Sequence, residues 1–204
     1  MVPCFLHSLA VLFLFKIQGG NAMNDEILDV YTRDGEHLGT KTRSFCHNIT
    51  DTVNPSCYHK TVWIWIINNK GQILVQKRSK YKKRQPNLWD MPSAGHIDAG
   101  EDQLIAAVRE TKEELGLVTA KEEYIFLGEY IADYAYELAQ LYLLKTDKNI
   151  SDMVLNPEEV AEVKWLSLEE FQGLLYSDQF VPHTKDYKDL VIKLLKQYIK
   201  EELE

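Results

Sequence analysis

Gly95-His-Ile-Asp-Ala-Gly-Glu101, running on to Arg109-Glu110-Thr111-Lys112-Glu113-Glu114-Leu115-Gly116-Leu117, is the stretch from which the fold is read. Its pattern predicts a helix over 101–115, closed by Gly116 near the carboxyl end. On that helix Leu104, Val108, Thr111 and Leu115 form the face turned to a core. Glu110, Glu113 and Glu114 fall together on nearly the opposite face. Like charges at this spacing repel by roughly a few tenths of a kcal/mol per pair. They also crowd the last turn, where the helix dipole disfavours anions. A plainly solvated helix would carry lysines there. A divalent cation removes the conflict, because Mg²⁺ or Mn²⁺ prefers carboxylate oxygens. Glu101 sits at the favoured helix start, and Arg109, two turns on, can pair with a carboxylate and hold the frame. Glu-x-x-Glu-Glu on its own is equally what an acidic surface helix shows.

Outward from this helix the chain alternates strands and turns. Ile27–Thr32 and Leu38–Thr42, joined through Asp34-Gly35, read as a hairpin. Residues 44–56 read as a polar loop. Tyr58–Ile67 and Ile73–Lys77 are strands flanking the turn Asn68-Asn69-Lys70-Gly71. Trp89–Ser93 is a third strand leading into Ala94-Gly95. Tyr124–Asp133 and Glu137–Lys145 form an antiparallel pair, and Val160–Trp165 a further strand. Ser167 with Glu170 is a capping box for a helix to about Leu175. The last helix puts Tyr187, Leu190, Val191, Leu194, Tyr198 and Ile199 on one stripe. Mixed strands and helices without a repeat or linker predict a single α/β domain over 23–204, one sheet covered by helices.

Composition agrees. A chain of 204 residues, 45% hydrophobic and 26% charged, is that of a folded globular protein. Its net charge of −8 lacks the positive field that binding to a nucleic-acid duplex needs. Three cysteines (Cys4, Cys46, Cys57) are too few for a disulfide scaffold or a zinc motif, which favours a reducing, bacterial-type cytoplasm. Phe5–Phe15 is apolar but too short to span a bilayer, and no basic start precedes it, so no membrane association is expected. Residues 1–22 are read as a start placed too early, with Met23 the first residue. A signal or anchor and a genuine structural segment are the other readings.

Gly95, Glu101, Arg109, Glu110, Glu113, Glu114 and Gly116 together match the Nudix box, Gly-x5-Glu-x7-Arg-Glu-U-x-Glu-Glu-x-Gly-U. The chain resembles a Nudix hydrolase on these residues, with Thr111 standing where an aliphatic is usual. The resemblance implies a Nudix-type α/β/α sandwich with a mixed sheet and an N-terminal β-hairpin. It implies a metal-dependent pyrophosphatase acting on a nucleoside diphosphate derivative or a related organic pyrophosphate. Metal is placed on Glu110, Glu113, Glu114 and the Gly95 carbonyl. A glutamate of this cluster, or one from a neighbouring loop such as Glu137, accepts a proton from water.

Lys77-Arg78-Ser-Lys80-Tyr-Lys82-Lys83-Arg84 holds six basic side chains in eight residues. It reads as a solvated loop or as a positive rim collecting the polyanionic substrate, with Arg78 and Lys77 the nearest phosphate contacts. Trp89 reads as core or as a stacking platform. The surroundings resemble the isopentenyl-diphosphate isomerase-like branch. The hairpin Asp29–Gly35, His47, His59, Gln76-Lys-Arg78, Pro86-x-x-Trp89 and Ala94-Gly95-His96 carry that likeness. In the isomerase, three histidines and glutamates bind metal, and a cysteine before the Gly-His moves the proton. His96 matches one such histidine, and His59 and His47 match the others, unless they are ordinary hydrogen-bonded histidines. Ala94 holds the cysteine's place and can carry no proton, so isomerisation is disfavoured. Cys46 and Cys57 are in the wrong segment to replace it. A non-catalytic nucleotide-binding module is the remaining alternative. Edge strands and the Ile27 hairpin could mediate a homodimer.

Overall fold

A computed structural model describes residues 25–47 and 57–203. The expectations for residues 1–22 and for 48–56 lie outside them. Strands run β1 Ile27–Tyr31, β2 His37–Thr42, β3 Tyr58–Ile67, β4 Ile73–Arg78, β5 Trp89–Asp90, β6 Ser93–His96, β7 Tyr124–Ala132, β8 Glu137–Lys145 and β9 Val160–Leu166. Helices are α1 Arg43–His47, α2 Gln103–Leu115, α3 Leu168–Leu175 and α4 Lys185–Leu203. All nine strands belong to one mixed sheet.

Strand β3 organises it. One edge pairs along its length with β8, in parallel, with His59 opposite Glu137 and Trp63 opposite Leu141. The other edge is shared in succession by three antiparallel partners. Val30 of β1 meets His59, residues 93–96 of β6 meet Thr61–Ile64, and Ile73 of β4 meets Ile67. Outside β3, β2 pairs β1, β7 pairs β8, and β5 and β9 both pair β4.

Alternation along β3 makes the layers. Val62, Ile64 and Ile66 pack with Ala106, Ala107 and Leu115 of α2. Trp63, Trp65 and Ile67 pack on the other face with Phe171 and Leu175 of α3 and Tyr187, Val191, Leu195 and Ile199 of α4. Helices thus cover both faces, as the sequence predicts. Each fully buried side chain of this kind contributes about 1.5–3 kcal/mol relative to exposure.

Local expectations shift in four places. Residues 43–47 form a short helix where a loop was expected. The strand expected over Trp89–Ser93 is two strands, β5 and β6, separated at Met91-Pro92 and paired to different neighbours; proline has no N–H to continue a ladder. The buried line of α4 is Tyr187, Val191, Ile192, Leu195 and Ile199, with Leu190 and Tyr198 at its border and Leu194 half-buried. On α2, Ala106, Ala107, Thr111 and Leu115 are buried, and Leu104 and Val108 only flank them.

Candidate active site

Helix α2 begins where the Asp102 carboxylate accepts from the Leu104 and Ile105 amides, at 2.9 and 3.3 Å. It ends at Gly116, whose φ of 68° is the left-handed cap that glycine adopts most readily. Arg109 spends its guanidinium on four acceptors. It bridges Glu101 through Nε–Oε1 at 2.9 Å and Nη2–Oε2 at 2.8 Å, donates to the His96 carbonyl at 2.9 Å, and meets Glu110 Oε1 at 2.6 Å. Glu101 also accepts from the Asp98 amide at 3.0 Å. The helix and the box loop are therefore tied by one cation.

The three α2 glutamates, at i, i+3 and i+4, differ in burial. Glu114 is buried; its Oε2 accepts from the Ala94 amide at 3.2 Å and faces Gln76 Nε2 at 3.4 Å. Glu110 lies against Gly95, where a Cβ would collide with its carboxyl group. Glu113 is exposed, 3.5 Å from Arg109. Pointing three anions the same way carries a repulsion that the sheet relieves by offering Glu114 an amide. Burial first, then the Glu110 charge, raises the Glu114 carboxyl to about 8. Burial likewise raises Glu110 to about 7, against the pull of Arg109.

A second constellation occupies the other side of β6. Gly95 faces α2, so its neighbours Ala94 and His96 face away, beside Trp63 and Thr61. There the ring nitrogens of His47, His59 and His96 lie within 4.8 Å of one another. His47 Nε2 is 2.9 Å from His96 Nε2, and His96 Nδ1 is 3.2 Å from Glu26. His59 is fully buried with neither ring nitrogen hydrogen-bonded. Two orphaned polar atoms cost about 1–3 kcal/mol each unless something binds them. Burial first, then the neighbouring histidines, pushes His59 down to about 2, and burial pushes His47 down to about 4. Neutral imidazoles converging in this way are a donor set that fits a transition metal. Glu137 completes the group: Oε1 is 3.9 Å from His59 and Oε2 accepts from Thr61 at 3.1 Å. Burial raises its carboxyl.

The NUDIX domain family model matches residues 58–187. The chain belongs to the Nudix family. A Nudix hydrolase of Listeria innocua is 37% identical over 133 residues, 63% of this chain and 75% of its own length. An isopentenyl-diphosphate Delta-isomerase of Photorhabdus laumondii is 26% identical over 183 residues, 87% of this chain and 97% of the isomerase. A Deinococcus radiodurans protein shares the fold with a TM-score of 0.63 at 20% identity, over 84% of this chain and 98% of that one. This Nudix chain is accordingly a hydrolase of the pyrophosphatase type, with an isomerase-like branch among its relatives.

The other residues named from sequence are placed as follows. Arg78 is engaged by the buried Asp90 at 2.9 Å and by the Arg84 carbonyl at 3.2 Å. Lys77 and Lys164 stand over the Trp89 ring, 5.9 and 3.9 Å from its centroid, and Trp89 itself is buried. Within the basic stretch, Lys82 pairs with Glu159 and its charge reaches Glu114. Arg84 donates to the His47 carbonyl at 3.1 Å. The loop therefore passes from the α2 carboxylates to the histidines. Glu26, which grips His96, carried no signal in the sequence, being one acid in an acidic hairpin.

Proposed function

We propose that this Nudix hydrolase cleaves the phosphoanhydride of a nucleoside diphosphate derivative or a related organic pyrophosphate, using Mg²⁺ or Mn²⁺ held by Glu110, Glu113, Glu114 and the Gly95 carbonyl. One observation carries the reading: α2 delivers Glu110 and Glu114 onto the backbone of Ala94-Gly95 while Arg109 holds the loop in place. Held there, such an ion would supply charge neutralisation of the diphosphate and polarisation of its phosphorus. The chain's own residues do the rest. Glu113, exposed and 3.5 Å from Arg109, would be the solvent-side member of the set that holds the ion. Arg78, Lys82 and Arg84, held by Asp90, Glu159 and the His47 carbonyl, form the basic rim that collects the phosphates. Lys77 and Trp89 support that loop from beneath, and His96 supplies the carbonyl that orients Arg109. The water proton goes to a glutamate of the α2 cluster, Glu137 lying across β6 against His59 and Thr61.

Hydrolysis in the presence of Mn²⁺ tests this, read as inorganic phosphate from CDP and UDP and as the two phosphate monoesters, after phosphatase treatment, from ADP-ribose and NADH. Glu113→Gln and Glu114→Gln are each expected to lower turnover at least ~100-fold with circular dichroism unchanged. Unchanged activity in both removes the assignment.

The histidine triad favours a second reading, isomerisation of a prenyl diphosphate with metal at His47, His59 and His96. Ala94 opposes it, since a methyl group stands beside Trp63 where proton transfer would need a thiol. Ala94→Cys alone is expected to give no robust proton exchange into isopentenyl diphosphate; strong exchange would establish the isomerase reading. A cytoplasmic location and a small-molecule substrate without a duplex or membrane partner complete the proposal. Among the described residues no helix is long and apolar enough to cross a membrane.

A further inference from the structure

Beside the carboxylates, the outer side of α2 carries a groove of about 590 Å³, lined by Ile105, Val108, Arg109, Lys112, Glu113 and Lys121. That volume lies within the range of small-molecule sites. Ile105, Val108 and Lys112 follow one another at i, i+3 and i+7, so they form one stripe along the helix. Lys121 reaches the same groove from the single 3₁₀ turn Lys121–Glu123 that follows α2. The two walls are tied together: the Tyr124 hydroxyl lies 3.3 Å from the Ala107 carbonyl and 2.8 Å from Thr119 Oγ1.

Two features set this groove apart from a plainly solvated helix face. The first is its floor, where Ile105 is 56% exposed next to the half-buried Val108. A solvated stripe carries polar side chains at such positions. The second is its charge. Arg109 is spent on Glu101 and Glu110, and Glu113 on Arg109. Lys112 and Lys121 have no carboxylate partner among the described residues, although the chain holds 31 acidic side chains against 23 basic ones. Two ammonium groups above an aliphatic floor complement an anion carried on an apolar or aromatic body. A phosphate monoester bears about two negative charges at neutral pH, which matches the lysine pair better than the single charge of a carboxylate.

We infer that Lys112 and Lys121 form a second anion site, independent of the metal, which seats a phosphate monoester whose apolar or aromatic body lies on Ile105 and Val108. The monoester is a separate molecule or a distal substituent of the substrate itself, because Arg109 and Glu113 make the groove continuous with the candidate metal site. Adenosine monophosphate titrated into the metal-free protein in EDTA, followed by amide NMR, is the test. Shifts are expected at residues 105–113 and 121, with adenosine binding at least ~10-fold more weakly because it lacks the charge. The double variant Lys112→Ala, Lys121→Ala is expected to weaken adenosine monophosphate by ~10-fold or more, with the rest of its spectrum unchanged. No binding to the parent, shifts confined to Lys80–Arg84, or equal affinity in the double variant overturns the inference. These readings need no turnover, so they stand or fall apart from the hydrolase reading. With Mn²⁺ present, the ratio of kcat/KM for NADPH, which has a 2′-phosphate, to that for NADH assigns the source. A ~10-fold fall in the double variant makes the monoester part of the substrate, and an unchanged ratio alongside lost adenosine monophosphate binding makes it a separate ligand.

Discussion

At the scale of single residues, the tightest constraint is the contact between Gly95 and Glu110. A methyl group at 95 would occupy the space of the carboxyl, so Gly95→Ala has to push Glu110 off the strand. Overpacking of this kind costs about 1–3 kcal/mol, and the displaced carboxylate also leaves Arg109. Gly95→Ala is expected to lose most of its Mn²⁺-dependent turnover while unfolding at a lower denaturant midpoint. A variant with full turnover would show that Glu110 has no need of that seat. The three histidines teach the opposite lesson about legibility. His47 and His96 are 49 positions apart yet 2.9 Å from one another. Nothing in either segment's composition distinguishes such a pair from two solvated imidazoles.

At the scale of elements, the strand β3, the strand β8 and the helix α3 have the bounds their apolar patterns and capping box predict. Side-chain periodicity and turn chemistry are local, so they can be read locally. The orientation of α2 was less legible. Its charges place Glu114 outside, whereas the sheet draws it inside by supplying the Ala94 amide, a partner visible only once β6 is in place. Strand β6 was itself hidden, because Pro92 divides an apolar run whose two halves pair elsewhere. The α2 cap remains testable by itself. Asp102→Ala is expected to cost about 1 kcal/mol of stability, read as a lower denaturant midpoint. Its kcat should stay near that of the parent, since Asp102 contacts only the helix amides.

At the scale of the whole molecule, two groups of buried ionisable side chains set opposite pH dependences in the metal-free protein. His47 and His59 have folded pKa values of about 4 and about 2, below the ordinary histidine value. The unfolded chain takes up protons below about pH 6.5 that the folded chain refuses, so stability falls as pH drops. Glu26, lowered to about 2 chiefly by its bond from His96, acts in the same direction below about pH 4.5. Glu110 and Glu114, raised to about 7 and about 8, keep protons that the unfolded chain releases above about pH 4.5. Their contribution is lost as pH rises through those values. Denaturation in EDTA is expected to give a broad maximum between about pH 4.5 and 6.5. From pH 6.5 to 8 the decline should be on the order of 1 kcal/mol. A stability that climbs steadily to pH 8 would contradict the burial of both glutamates. The N-terminal hairpin belongs at this scale too. It precedes the matched stretch 58–187, yet Ile27 and Asp29 bind the amides of Ala99 and Gly100, at 2.9 and 2.8 Å, and Glu26 grips His96. Cutting the gene down to the recognisable motif would keep every signature letter and unfasten the buckle that keeps them in register.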